Sequence, residues 1–297
     1  RILEVADHRG NTALHFLCQS RHRHHEETTL LIEYLLERMP QLVSRENGLG
    51  KTALHLAIET RRETSLLNLL VDSCPSALLL DACGCTPLAT AIQYGSDVSV
   101  LDRMCRATPE VLNKRDDQGR LPLRWALECR VYDFDRLRLL ANSEAAVLEK
   151  DIMGRNALHL ALDRQQVQPL LVELLMAVGP DATNHVTKYG EYPLQTAFRR
   201  YAQAWQALEH GSYATVTRQR DVRIWWQVVC DMVRRTSPAP DQETLLSSAL
   251  LNRSRPWLGV VQRLVSENPA MTRVRSTTVG LFPIMIVARW VEHGHKA

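Results

Sequence analysis

The chain has 297 residues, 45% of them hydrophobic and 23% charged, with a formal net charge of +3. So weak a charge on this length does not argue for nucleic acid, and no apolar run is long enough to span a bilayer. Seven cysteines (Cys18, Cys74, Cys83, Cys85, Cys105, Cys129, Cys230) form an odd, irregularly spaced set, mostly in helical stretches, which predicts buried reduced thiols and a cytoplasmic or nuclear setting.

The first residues, Arg1-Ile2-Leu3-Glu4, carry neither a starting Met nor a signal-peptide core, so the segment reads as cut from a longer chain. Gly10-Asn11-Thr12-Ala13-Leu14-His15 opens a first unit. A polar break at Arg21 to Glu27 follows, then an apolar helix from Thr28 to Met39. The unit is helix, loop, helix. It recurs at Gly50-Lys51-Thr52-Ala53-Leu54-His55-Leu56-Ala57, where Gly50 suits a backbone position of positive φ and Thr52 an N-cap. Leu54, Ala57 and Ile58 then fall on one helical face, and the small Ala57 admits a close neighbour.

Further copies start at Gly84, Gly119, Gly154 and Gly190. Anchored on the residue before the shared Leu, the copies fall at positions 13, 53, 87, 122, 157 and 193, in steps of 40, 34, 35, 35 and 36. Such a period is that of one supersecondary unit. Between units a proline ends the second helix and a glycine follows nine to eleven residues later, as in Pro40 to Gly50 and Pro109 to Gly119, with Asn47, Asp116 or Asp151 in the turn. After Ala197 the helix runs on through Tyr201, Trp205 and Leu208. A polar loop is expected from His210 to Arg220, then an apolar helix capped by Asp221 with Ile224, Trp225, Val228, Val229 and Met232 buried. A seventh copy near Thr244 lacks the glycine, and an eighth begins near Gly280.

Thr86-Pro87-Leu88, with Thr12-Ala13-Leu14-His15, Thr52-Ala53-Leu54-His55 and Asn156-Ala157-Leu158-His159, resembles the ankyrin repeat, whose signature is Thr-Pro-Leu-His-x-Ala. The resemblance covers about residues 7 to 290. Leu121 and Tyr192 replace the Thr, and Arg124 and Gln195 the His, so it is a divergent member that the sequence resembles. It implies an all-α, ankyrin-like solenoid of about seven full helix-turn-helix repeats plus a partial last one. A single domain, 1–297, is expected, with repeats near 7–46, 47–80, 81–115, 116–150, 151–186, 187–240 (with an insertion near 200–220), 241–276 and 277–297.

The resemblance also implies a non-enzymatic scaffold that binds a protein or peptide on a concave surface of tips and first helices. By position, Arg9, Asn11, Lys51, Glu59, Tyr94, Gln118, Arg120 and Glu128 face the partner, followed by Met153, Arg155, Arg164, Tyr189, Glu191, Arg199 and Arg200. Tyr94, Arg164, Tyr189 and Arg200 are the expected anchors. Basic residues at the later positions (Arg155, Arg164, Arg199, Arg200) motivate an acidic or phosphorylated partner, set against ordinary surface charge. A monomer without cofactor, metal, nucleic acid or membrane insertion is expected.

Other chemistries are weighed against blander ones. His15, His55 and His159 hold one position in their repeats and read as structural rather than as metal ligands or bases. Arg21-His22-Arg23-His24-His25-Glu26 has metal-binding composition but lacks a second ligand pair and reads as a solvated loop. Cys83-Gly84-Cys85 is a poor zinc or redox signal, and no nucleophile lies on a strained turn beside a His. The alternative function is a regulatory or targeting arm of a larger enzyme or membrane protein.

Overall fold

The computed structural model describes residues 5–20, 25–79, 85–131, 133–164, 166–209 and 215–235. The expected seventh and eighth repeats therefore lie outside the described residues. The described residues are helical, with no strand beyond an isolated bridge position at Cys85.

The chain divides into two compact units, Arg1–Asn142 and Ser143–Ala297. The first holds successive helix pairs: α1 (Ala13–Gln19) with α2 (His25–Arg38), α3 (Ala53–Glu59) with α4 (Thr64–Ser73), α5 (Pro87–Tyr94) with α6 (Val98–Ala107), and α7 (Pro122–Glu128) with α8 (Phe134–Leu140). First helices stack α1 on α3, α3 on α5 and α5 on α7, and second helices α4 on α6 and α6 on α8. The second unit contains α9 (Glu144–Leu148), α10 (Ala157–Leu162), α11 (Pro169–Val178), α12 (Pro193–Glu209) and α13 (Thr215–Arg235). There α10 packs on α11 and α12, and α12 lies along α13.

Every first helix begins on its sequence anchor, at Ala13, Ala53, Pro87, Pro122, Ala157 or Pro193. Proline at three of these starts is tolerated because the first-turn amide has no intrahelical partner to lose. Most of these helices span two turns or fewer, too short to persist alone, so stacking holds them. The motif alanine that five of the six copies carry is buried: Ala57, Ala91, Ala126, Ala161 and Ala197 are 0% to 2% exposed.

The motif histidines are structural, and they reach further than their own turn. In His55, Nδ1 accepts the Thr52 amide (3.2 Å) and meets the Thr52 hydroxyl (2.9 Å), which leaves the proton on Nε2 to donate to the carbonyl of Cys85 in the next repeat (3.1 Å). His15 does the same between Thr12 and the Lys51 carbonyl (2.9 Å), and His159 between Asn156 and the Glu191 carbonyl (3.1 Å). One imidazole thus caps its own helix and ties the following tip. In the sixth copy Gln195 takes over the first half of this role, its Oε1 accepting the Tyr192 amide at 2.7 Å.

Three expectations are corrected. Each proline-led connector opens with a short 3-10 helix (Pro40–Leu42, Pro75–Leu79, Pro109–Asn113, Pro180–Asn184), because Pro fixes φ near the helical value just where the second helix must stop. The last described helix begins at Thr215, so Asp221 lies inside it rather than at its cap, and only 210–214 separate it from α12. Its expected buried set holds for Trp225, Val228, Val229 and Met232, while Ile224 is half-buried. Among the cysteines Cys18 is buried, Cys74, Cys85 and Cys105 half-buried, and Cys129 exposed. Cys83 and His22 and His24 fall outside the described residues.

Candidate interaction surface

The segment entering each first helix folds into a tip whose glycine has a left-handed backbone, with φ between 70° and 78° at Gly10, Gly50, Gly119, Gly154 and Gly190. Three residues earlier a side chain closes the loop. Asp116 Oδ1 accepts the amides of Gln118 (3.0 Å) and Arg120 (2.7 Å), and Asp151 Oδ1 those of Met153 and Arg155 (both 2.8 Å). Asp7, Asn47 and Thr187 do the same in their tips. Burial raises the Asp151 carboxyl, but the Arg155 and Met153 amides and the Arg155 guanidinium outweigh it and hold the group below its ordinary value. Adjacent tips are tied by backbone as well, Gly48 N donating to Arg9 O (2.7 Å) and Lys188 N to Met153 O (2.9 Å).

On this frame, in four repeats, the residue after the tip glycine meets a side chain eight positions on, which ends α3 and α7, follows α10 and lies within α12. Lys51 pairs with Glu59 (2.5 Å), Arg120 with Glu128 (3.0 Å), Arg155 with Asp163 (3.7 Å) and, with the signs reversed, Glu191 with Arg199 (2.7 Å). Tip and first-helix side chains thus form one continuous surface in these four repeats.

The sequence-predicted residues gather into local groups. In the first unit Arg9, Asn11, Lys51 and Glu59 line a cleft of about 560 Å³ with Leu49. Further along, Arg120 stacks 4.1 Å over the Trp125 ring while bridging Asp116 (2.7 Å) and Glu128, and Arg124 also reaches Glu128 (2.9 Å). Gln118 is exposed on the tip above, and Tyr94 is half-buried at the end of α5. In the second unit Met153, Arg155, Tyr189, Glu191 and Arg199 line a cavity of about 230 Å³. Arg200 lies beside it, paired with Asp163 at 2.7 Å.

Arg164 does not join them. It is only 6% exposed, so its side chain is part of the interior and presents nothing to a partner. Arg164 lies two residues past the end of α10, where its side chain turns inward, and position alone could not reveal that. The loop-closing Asp116 and Asp151 are among the residues that the sequence placed in the turns, whereas the stacked Trp125 is one that it passed over.

No protein-family model matches the chain. It is 27% identical over 203 residues to the nuclear factor NF-kappa-B p105 subunit of Gallus gallus, covering 66% of this chain and 20% of that protein. To neurogenic locus notch homolog protein 1 of Mus musculus it is 29% identical over 160 residues, covering 54% of this chain and 6% of that protein. The chain therefore spans a fifth or less of the length of these relatives. In structure it is similar to the ankyrin repeat domain of Bcl-3, a member of the IkappaB protein family, with a TM-score of 0.52 and 23% identity, covering 77% of this chain and 88% of that one. The helix pairs have the ankyrin-repeat fold. The tip-and-first-helix surface of an ankyrin repeat is hence what the paired residues above belong to, and the substitutions at Leu121, Arg124, Tyr192 and Gln195 are variations within that fold.

Among the described residues no helix is long and apolar enough to cross a membrane, and no three His, Cys, Asp or Glu side chains group as a metal site.

Proposed function

We propose that the chain is a non-enzymatic protein-interaction scaffold that binds a protein or peptide on the tip and first-helix face which the ankyrin fold makes concave. The observation that carries this reading is the recurrence of one geometry with changing side chains: a locked tip joined to a side chain eight positions on at Lys51–Glu59, Arg120–Glu128, Arg155–Asp163 and Glu191–Arg199. A rigid backbone that displays different side chains at equivalent positions is suited to selecting a partner, because little ordering entropy is lost on binding. Met153, Arg155, Tyr189, Glu191 and Arg199 in the second unit, with Arg200 beside them, and Arg9, Asn11, Lys51, Glu59, Tyr94, Gln118, Arg120 and Glu128 in the first, are its contact residues. Thiols at Cys18, Cys74, Cys105 and Cys129 support a reducing, cytoplasmic or nuclear setting, with the array acting as a monomer.

Site-specific photo-crosslinking tests this. A crosslinking residue at Leu49, Gln118 or Tyr189 on the tips should give defined protein adducts, and one at Leu30 or Leu170 on second helices, also exposed, should give few. Equal labelling from both faces would sink the proposal.

A second reading is favoured by one observation, that the curated relatives are several times longer than the matched region. In it this array is the regulatory or targeting arm of a larger enzyme or membrane protein. Sequencing the complete reading frame decides between a stand-alone scaffold and an arm.

A further inference from the structure

The basic residues of the second unit invite an acidic partner, but their charge is already spent. Arg155 meets Asp151 (2.7 Å) and Asp163, Arg200 meets Asp163 (2.7 Å), and Arg199 meets Glu191 (2.7 Å). Three guanidinium groups face three carboxylates. Arg199, Asp163 and Arg155 are 46%, 45% and 36% exposed in their side chains, so the Arg199–Glu191 and Arg155–Asp163 pairs are solvated and of small net worth, while Asp151, 3% exposed, is committed to closing its own tip. A carboxylate from a partner would replace one solvated pair by another and gain little.

Apolar surface at the same tips has no such compensation. Ile152 and Tyr189 are each 77% exposed, among the most exposed large hydrophobic residues described, and Val186 is 40% exposed. Met153 and Tyr189, from two successive tips, both line the cavity, as does the buried pair His159 and Thr196. His159 is held there by its bonds to Asn156 and the Glu191 carbonyl, so that part of the lining does not move. At about 230 Å³ the space is smaller than the ~300–1,000 Å³ of small-molecule sites and larger than the ~150 Å³ that accepts a benzene ring. Its size is that of one large side chain. Arg155, Asp163, Glu191 and Arg199 also line it, paired with one another, whereas the first-unit cleft is larger and adds Arg9, Asn11 and Asn47 to the Lys51–Glu59 pair.

We propose that the cavity between the tips of Met153 and Tyr189 receives a single large aliphatic or aromatic side chain from a partner segment without net negative charge, and that the flanking ion pairs serve as a neutral rim. This rests on the protein-interaction reading above and names the chemistry of its partner. Burying an anchor in a preformed pocket inside a polar rim is how a few residues come to dominate an interface.

A random-peptide display library, selected on the folded chain alone and its binders then measured on the M153A/Y189A double variant, tests it. Selected peptides should share a large apolar residue without enrichment in Asp or Glu. Their Kd should rise at least about tenfold on M153A/Y189A, the loss of an anchor contact. It should change by no more than about twofold between roughly 50 and 500 mM NaCl, since screening acts on charges. Should the double variant melt, Y189D alone alters an exposed side chain and should give the same loss.

Acidic peptides whose binding falls with salt and with R199Q would overturn the apolar anchor while leaving the scaffold reading intact. Peptides that bind M153A/Y189A as well as the parent chain would also overturn it. So would a library that yields no binder, and the crosslinking measurement then tells whether the scaffold reading fails with it.

Discussion

At the scale of the residue, burial separates side chains that sequence position treats as equals. Tyr189 and Arg164 were both expected anchors, yet one is 77% exposed and the other 6%. Tyr189→Ala should leave the thermal melt followed by circular dichroism unchanged, whereas Arg164→Ala should cost on the order of 2 kcal/mol by removing a buried side chain and orphaning the groups it meets. The histidines give a second test. Burial pushes the imidazoles of His15 and His159 below their ordinary value, against the opposing pull of the Lys51 and Glu191 carbonyls. A group whose folded value is depressed binds fewer protons folded than unfolded, so its stabilisation is complete above the unfolded value of 6.5 and is lost as pH falls through the folded one. The melting temperature should therefore drop as pH is lowered from about 7.5 to 5.5. His15→Gln, which imitates the arrangement present at Gln195, should shrink that drop. A flat profile in the parent chain would contradict the neutral-imidazole role.

At the scale of the element, the tip is a small closed structure with little tolerance. A Cβ on Gly10 would lie 2.8 Å from the amide nitrogen of Gly48, and one on Gly154 would lie 3.0 Å from that of Lys188, both rigid backbone. On Gly119 it would meet nothing within 4 Å, although φ there is +73°. Gly119→Ala should thus cost only the left-handed penalty, ~1–2 kcal/mol, and Gly10→Ala and Gly154→Ala distinctly more. Urea titration of the three variants checks the ranking, and equal losses would mean that tip-to-tip contact contributes nothing. The element also shows what pattern reading could recover. Helix starts were legible because the cap, the first-turn proline and the apolar face coincide at Thr86-Pro87-Leu88. The 3-10 turns after Pro40, Pro75, Pro109 and Pro180 were not, since a proline signals only where a helix must end. The early start of α13 at Thr215 was hidden for a related reason: a polar turn of helix next to an apolar one has the composition of a loop.

At the scale of the molecule, each first helix of the first unit touches its neighbours in sequence order, α1 on α3, α3 on α5 and α5 on α7. Stability in such an array is close to a sum of repeat and neighbour contributions. Leu14, fully buried in α1, should cost ~2–5 kcal/mol when changed to Ala. Native-state hydrogen exchange should then quicken most in α1 to α4 and least in α7 and α8, whereas uniform loss of protection would mean that the unit opens as a single block. Function follows the same logic. Where repeats stack only on neighbours, each tip is free to vary, which is why Arg9, Leu49, Gln118, Met153 and Tyr189 can differ so widely at equivalent positions.

By itself the sequence determined the repeat, the helix pairs and the face on which partner contacts are sought, because helical periodicity, capping and left-handed glycines act over a few residues and leave local marks. Contacts between repeats leave no such mark, and only the tertiary structure decided them. It paired Arg200 with Asp163, 37 residues away, drew Arg164 into the interior, and joined Met153 and Tyr189 in one cavity. Charge and exposure depend on which neighbour a side chain meets, and folding chooses that neighbour.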